Sequence, residues 1–434
     1  MSDLKVLSVP SLAGSGVAYA YAVKAGPWIF LTGHEAYDLD TGSTAAVDGL
    51  PGFPNFDKAR QRREAEFIFE RMKKTLAALG SDFKHALRLD QYYPAPSSVV
   101  HYQRARHAAL GSYIPPSTSV IMERCFSTTS AICCSMMAVA PDEKYAIQGV
   151  YPDGVKTPEW SGFVPTITCN DFIFVAGQMA TGDNDGLDPR ARVRDDSRWG
   201  GMAIRRQTEF LIKQKLTPAL ESAGSSLENA VKAQVYIEGV ENFPDFYDVW
   251  SQSFASIPCA LTVVPTKSFA TVGGIIEINL IALKADAVRK KEVIDAGLPA
   301  MSCYGPAVRV GDFLFPSGLM AMGKDGFIAG KDVSPRFDGL AHAGAAQASG
   351  IYDYAADLCD KAGTSLANVV RAQYFCTNPA DFAGITNAWR ARQGNQPHPF
   401  VCVQTPAPPP APGATVIADL WIYIPGWKGT GLTA

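Results

Sequence analysis

The sequence predicts an α+β protein built from three tandem β-β-α-β-α-β-β domains, packed within one chain as a pseudo-trimer. Three observations predict it. First, one phrase occurs three times, as Gly26-Pro-Trp-Ile-Phe-Leu-Thr-Gly33, Asn170-Asp-Phe-Ile-Phe-Val-Ala-Gly177 and Gly311-Asp-Phe-Leu-Phe-Pro-Ser-Gly318. The closing glycines stand 144 and 141 residues apart, a period that suits a domain and not a solenoid unit. Second, a chain of 434 residues holds about three domains of about 150 residues each. Third, each phrase opens the same succession of strand and helix patterns. A helix-backed antiparallel sheet leaves its other face to be covered, and three related sheets about a pseudo-threefold axis cover one another.

The first domain spans residues 12–140. Residues 17–23 alternate as a strand, Gly26-Pro27 turns, and residues 28–32 form the second strand of a hairpin. A polar loop of 38–57 follows. Residues 58–79 are helical, with Ala65, Ile68, Phe69, Met72, Leu76 and Leu79 on one face and Gly80 as the stop. Then come a strand over 86–93, a helix over 97–110, and strands over 117–123 and 131–140. The second domain, residues 160–285, repeats this order with a hairpin over 163–176 and a helix over 203–222. Pro218 predicts a kink in that helix. The third domain, residues 302–424, has its first helix over 343–361 and its last strand over 415–423. Ser365-Leu-Ala-Asn-Val-Val-Arg-Ala-Gln373 echoes Ser226-Leu-Glu-Asn-Ala-Val-Lys-Ala-Gln234. The connectors 141–159 and 284–301 read as surface segments, with Arg289-Lys-Lys-Glu292 a solvated run.

Composition narrows the function classes. Apolar residues make up 47% and charged residues 19%, with a net charge of -3, so a basic surface for nucleic acid is disfavoured. No apolar run approaches 18 residues, so no membrane span is expected. Nine cysteines without CxxC pairs suit reduced thiols in a cytoplasmic protein. No Walker loop, dinucleotide fingerprint or HExxH is present, so neither a cofactor nor a metal is expected.

The order of elements and the repeated phrase resemble the RidA (YjgF) family, which has a chorismate-mutase-like fold. Its members associate as trimers, with sites in clefts between subunits, and hydrolyse reactive enamines and imines. The family's Tyr stands 13 residues before its Ser. Here Tyr304 stands so before Ser317, Tyr19 before Thr32, and Phe163 before Ala176. The family's Gln survives as Gln178, with His34 in its place in the first domain. The family's carboxylate-clamping Arg falls at Ser117, Ala260 and Phe400, so no domain keeps it. Its water-handling Glu falls at Ser135, Asn279 and Asp419, so only Asp419 remains a carboxylate. An ordinary 2-imino acid deaminase is therefore not expected.

By this resemblance Asp419, Ser317 and Tyr304 form the catalytic constellation, in a cleft centred on the third domain. Gly318, Tyr19, Thr32, His34, Glu35, Gln178, Glu277 and Cys402 are candidates for binding substrate. Each has a plainer reading. Asp419 lies in an apolar strand, where a carboxylate needs either a cleft or an ion-pair partner. Ser317 and Tyr304 also suit hydrogen bonding inside a sheet. His34 and Glu35 also suit a solvated loop. Glu277 shares a face with Asn279, lining either a cleft or the axis. Cys402 lacks an evident activating partner beyond the nearby His398. Gln91, Gln234 and Gln373 read as one position repeated three times, a polar ring at the axis. The resulting expectation is a hydrolase or deaminase of a small nitrogen-containing metabolite (an enamine, imine or cyclic amide). The alternatives are a lyase or hydrolase of a cyclic carboxylate, and a non-catalytic ligand-binding or protein-stabilising relative. The partners expected are a small-molecule substrate and the chain's own domains, with assembly into a larger homo-oligomer left open.

Overall fold

The computed structural model describes residues 4–427 except 156, 159, 183–185, 194–200, 255, 257, 296–303, 306, 324–325 and 328–342. Three large sheets share one strand order. The first runs Leu4–Val9, Tyr19–Ala25, Trp28–His34, Cys133–Val139, Ala86–Tyr93, Ser117–Ile121. The second runs Ile147–Val150, Thr166–Cys169, Phe172–Met179, Ile276–Leu283, Ala230–Glu238, Cys259–Thr266. The third runs Lys291–Ile294, Ala307–Val310, Phe313–Pro316, Val416–Tyr423, Val369–Cys376, Phe400–Gln404. In each of these six-strand runs only the last pair is parallel. A parallel pair needs a crossover, which the helices Ser97–Leu110, Phe243–Phe254 and Asp381–Gln393 supply. No helix among the described residues is long and apolar enough to cross a membrane.

The opening strand of each sheet lies where the sequence suggested a terminus or a connector. Lys291–Ile294 overlaps the run expected to be solvated, and Arg289 beside it is buried. Its Nε donates to Asp312 Oδ1 at 2.8 Å, and its Nη1 lies 3.1 Å from Asp171 Oδ2. Trp28 Nε1 donates to Asp312 Oδ2 at 2.7 Å. Arg289 thus ties together the turns of the repeated phrase, which an exposed charge would not do. The helix over 203–222 does deform before Pro218. Ile212–Leu216 takes a π-helical turn, and Thr217 Oγ1 donates to the Ile212 carbonyl at 2.8 Å, satisfying an acceptor that the regular ladder abandons.

Each sheet packs one face on its own pair of helices and turns the other toward the other two sheets. Register-equivalent side chains meet there in layers. Trp28, Phe172 and Phe313 form a triangle with ring centroids 5.5, 5.6 and 5.9 Å apart. Tyr92, Tyr236 and Phe375 form a second, at 6.1 to 6.3 Å. Full burial of rings of this size stabilises by about 2–3 kcal/mol each. Between the triangles lies a charged layer of Arg88, Lys232 and Arg371 followed by Asp90, Gln234 and Gln373. These positions share a strand register: Asp90 opposes Ser135, Gln234 opposes Asn279, and Gln373 opposes Asp419.

That register corrects one expectation. Gln91 is not the counterpart of Gln234 and Gln373; Asp90 is. A slip of one residue sends a side chain to the opposite face. Gln91 accordingly faces the helices and donates to the carbonyls of Leu89 and Thr118 at 2.8 and 2.6 Å. The position assigned to the missing Arg shifts likewise in the second sheet. Ser117, Leu261 and Phe400 are near equivalents in register, and Ala260 falls one residue off.

Candidate functional site

Asp419 lies at the centre of the charged layer, fully buried. Its Oδ1 is 3.1 Å from Lys232 Nζ, a charge contact, and its Oδ2 accepts from Gln234 Nε2 at 2.6 Å. Lys232 also donates to Thr262 Oγ1 at 2.8 Å and to the Pro316 carbonyl at 2.7 Å. Gln234 donates to Gln373 Oε1 at 2.7 Å, and Gln373 donates to the Tyr92 hydroxyl at 2.9 Å. Arg88 and Arg371 both bind Asp90. Burial pushes the Lys232 ammonium down from its ordinary value while Asp419 opposes that shift. The site expected around Asp419 is thus a closed ion-pair network at the meeting point of the sheets. A fully buried carboxylate held by the Lys232 charge and the Gln234 amide is not poised to handle substrate water.

The edge of the second sheet nearest Ser317 and Gly318 is closed as well. Ser317 Oγ accepts from the Leu261 N–H at 2.9 Å, and the Gly318 N–H donates to the Leu261 carbonyl at 3.0 Å. The backbone of Tyr304–Gly305 adds a parallel strand beside Cys259 and Ala260. The Tyr304 side chain lies outside the described residues. In the third sheet the register equivalent of Glu277 is Ile417, so this edge has an aliphatic side chain where the second sheet has a carboxyl.

Between the third and first sheets, Tyr19 donates to the Gly33 carbonyl at 2.7 Å and bonds Thr32 Oγ1 at 2.8 Å. Phe400 covers the Tyr19 ring at 4.6 Å. His34 is buried, not solvated. Its Nε2 meets the Tyr21 carbonyl at 3.2 Å, and burial pushes its pKa down to about 3. Glu35 is buried too. It accepts the N–H groups of Phe126 and Ser127 at 2.8 and 2.9 Å, and burial raises its pKa to about 7. Both therefore hold backbone and neither opens onto a cleft. Cys402 is buried in the third sheet's core, where burial raises its thiol well above the ordinary range, which removes it as a nucleophile. The described cysteines are all free. No group of three His, Cys, Asp or Glu among the described residues could hold a metal ion.

The remaining cleft lies between Ser117–Ile121 of the first sheet and the strands Phe172–Met179 and Ile276–Leu283 of the second. It encloses about 90 Å³, lined among others by Ser117, Ser119, Gln103, Gly177, Gln178 and Glu277. Glu277 is 4% exposed. Its Oε1 accepts the Ser119 N–H at 3.3 Å. Burial raises its pKa from 4.5 to about 8, so the carboxyl is mostly protonated at neutral pH. A register shift between Val175 and Gln178 places Gly177 against this carboxyl, where a Cβ would collide with Oε1. Gln178 Nε2 donates to the Ala176 carbonyl at 3.3 Å. Gln103 Oε1 is buried with no hydrogen-bond partner. Of the expected site residues, this cleft gathers Gln178 and Glu277, and the family's Arg position is represented by Ser117.

Arg106, on the helix Ser97–Leu110, escapes a reading of the sequence because a lone Arg in an amphipathic helix looks like a surface residue. It is fully buried behind the cleft. Its Nη1 donates to Ser117 Oγ at 3.1 Å, and its Nη2 binds Ser161. Because Ser117 accepts from Arg106, its own hydroxyl proton is directed elsewhere and suits an acceptor in the cleft.

A family model described as Endoribonuclease L-PSP matches residues 156–284. A RutC family protein of Pyrococcus abyssi is 32% identical over 133 residues, which cover 30% of this chain and 92% of that protein. The chain belongs to the RidA (YjgF) family. A RutC family protein of Saccharolobus solfataricus is 28% identical over 137 residues, covering 32% of this chain and 89% of that protein. Among solved structures, yeast Mmf1 is 21% identical with a TM-score of 0.27, covering 32% of this chain and 99% of its own. A Thermotoga maritima protein described as a putative endoribonuclease is 23% identical with a TM-score of 0.27, covering 32% and 97%. The segment matched by the Endoribonuclease L-PSP model carries Phe163, Gln178 and Glu277.

Proposed function

We propose that this RidA relative is a hydrolase or deaminase of a small, uncharged nitrogen-containing metabolite (an enamine, imine or cyclic amide). Its working cleft lies between the first and second domains, with Glu277 as acid and base. The proposal includes three RidA-like domains, residues 12–140, 160–285 and 302–424, arranged as an intramolecular pseudo-trimer. The two aromatic triangles and the shared strand order support that arrangement.

One observation carries the reading. Glu277 is a buried carboxyl held largely protonated near neutral pH, in a small, mainly apolar cavity that also presents the side chains of Gln103, Gln178, Ser117 and Ser119. A general acid works best when its pKa lies near the operating pH. For an imine, Glu277 gives its proton to nitrogen while water attacks the carbon. The Glu277 carboxylate then takes a proton from that water. Glu277, protonated again, gives that proton to the amine nitrogen and takes the adduct's hydroxyl proton as the carbonyl forms, so that the C–N bond breaks, ammonia and the carbonyl compound leave, and the carboxyl ends protonated as it began. An enamine enters the same path after protonation at carbon. Gln178, Gln103 and Ser117 suit orientation of a neutral polar group. The cavity's described lining residues include no guanidinium to clamp a carboxylate directly, since Arg106 stands behind Ser117 and Ser161 and bonds them instead. A volume of about 90 Å³ is well below the roughly 300–1,000 Å³ of common ligand pockets and suits a substrate of few heavy atoms.

The test is turnover of a panel of small neutral enamines, imines and cyclic amides, read as ammonia release or ring opening. Glu277→Gln should lower kcat/KM by about 100-fold or more, the usual worth of positioned acid–base catalysis. Equal turnover by wild type and Glu277→Gln sinks the assignment. Saturable binding of the panel with no turnover favours a ligand-binding role for the same cleft.

A further inference from the structure

We infer that the cleft between the third and first sheets is a second ligand site, which holds a flat apolar acid without turning it over. It occupies the place that corresponds to the Glu277 cleft, but its residues have changed in kind. Cys133 stands at the register of Glu277, and Phe400 at that of Ser117. The Cys133 thiol is buried and pushed well above its ordinary range, so it neither gives nor takes a proton near neutrality. Phe400 packs on Tyr19 at 4.6 Å and closes the inner end, where a reacting group would sit.

The outer end opens instead. It forms a cavity of about 510 Å³ between the 12–17 segment and the helix Asp381–Gln393. This falls within the roughly 300–1,000 Å³ expected of a small-molecule site. Its walls are mainly apolar, with Phe126 and Phe382 meeting edge to face at 4.8 Å and Tyr37 beside them. Such a wall suits a planar ring system.

Two polar features give the ligand a head group. Thr386 lines the cavity, and its Oγ1, buried just beneath that wall, has no hydrogen-bond partner. A buried hydroxyl left unpaired is costly, and a ligand acceptor or donor would satisfy it. Arg390, one helical turn further on, also lines the cavity. Its described hydrogen bond is a single Nη2–H donated to the Gly16 carbonyl. A guanidinium carries five N–H donors, so it retains capacity for an oxyanion. Neighbouring His398 adds no positive charge near neutrality, because burial lowers its pKa to about 3. Arg390 is therefore the cation that selects the sign of the ligand.

The test uses the full chain and naphthalene-2-carboxylate, titrated by calorimetry, with naphthalene-2-methanol as the neutral partner. Wild type should bind the acid saturably at one site. Ala383→Trp places a large side chain at an exposed helix position in the cavity mouth, and should weaken binding by about tenfold or more. Asn387→Trp, also exposed, serves the same purpose should the first variant fold poorly. Arg390→Gln should weaken the acid by about fivefold and leave the alcohol unchanged. Glu277→Gln should bind the acid as wild type does, so this result is separate from the fate of the proposed activity. Absence of saturable binding, or binding unchanged in both Trp variants, overturns the inference. Loss of binding in Glu277→Gln also overturns it, because the acid would then occupy the other cleft.

Discussion

Replacing Glu277 by Gln should change how stability depends on pH, and the size of the change follows from the structure. Burial raises the Glu277 carboxyl from 4.5 to about 8. That difference corresponds to about 5 kcal/mol between the protonated and ionised forms. The sign follows from proton binding. Between pH 4.5 and 8 the folded chain holds this proton and the unfolded chain does not. Stability therefore falls as pH rises through that window, by about 1.4 kcal/mol per pH unit. The contribution is intact below 4.5 and lost above 8. The substituted amide has nearly the same shape as the carboxyl, keeps an oxygen for the Ser119 N–H and carries no charge. Wild type should therefore lose about 4 kcal/mol relative to Glu277→Gln between about pH 5 and pH 8. The assay is urea unfolding of both proteins at several pH values across that range. Taking the difference between them removes the parallel contribution of Glu35, whose carboxyl is also raised, to about 7. A difference that stays constant across this range refutes the buried, protonated carboxyl on which the proposed chemistry rests.

Three further outcomes follow from the same contacts. His34 is held down to about 3 by burial, so its contribution is present above pH 6.5 and lost as pH falls toward 3; His34→Gln should remove about 2 kcal/mol of acid destabilisation between about pH 6.5 and pH 5, measured by unfolding at both values. Asp419→Asn leaves the Lys232 charge buried without its counter-ion and should cost about 3–5 kcal/mol, whereas the double change Lys232→Met/Asp419→Leu should cost less than the single one in the same urea series. Gly177→Ala drives a methyl group into the Glu277 carboxyl and should abolish ligand binding in this cleft while far-ultraviolet circular dichroism stays that of the wild type.

The architecture is legible because it is written three times. The repeated phrase places Trp28, Phe172 and Phe313 at equivalent turns, and these rings meet in the structure. Register is harder to read. A strand that is apolar on both faces offers no alternation to fix its phase, so the sequence pairs Gln91 with Gln234 and Gln373 although Asp90 is their true counterpart. The opening edge strands escape because short, half-exposed segments of mixed polarity look like linkers until a partner strand is known. Arg289 and Arg106 escape for a related reason. A buried Arg is distinguished by the carboxylates and carbonyls it meets, which come from distant parts of the chain. The proposed site is legible in kind, a carboxylate with a Gln, but the cleft proposed for it is a different one. Glu277 and Asn279 share one strand face, and only the sheet packing sends Asn279 to the centre and Glu277 to the cavity.

The most direct test of the account is a crystal structure of the full chain soaked with a slowly reacting small cyclic amide. Density is expected in the cavity between the first and second sheets, with a ligand polar atom within hydrogen-bonding distance of Glu277 and Gln178. Density at Asp419, or beside Ser317 and Gly318 with Glu277 untouched, would contradict it.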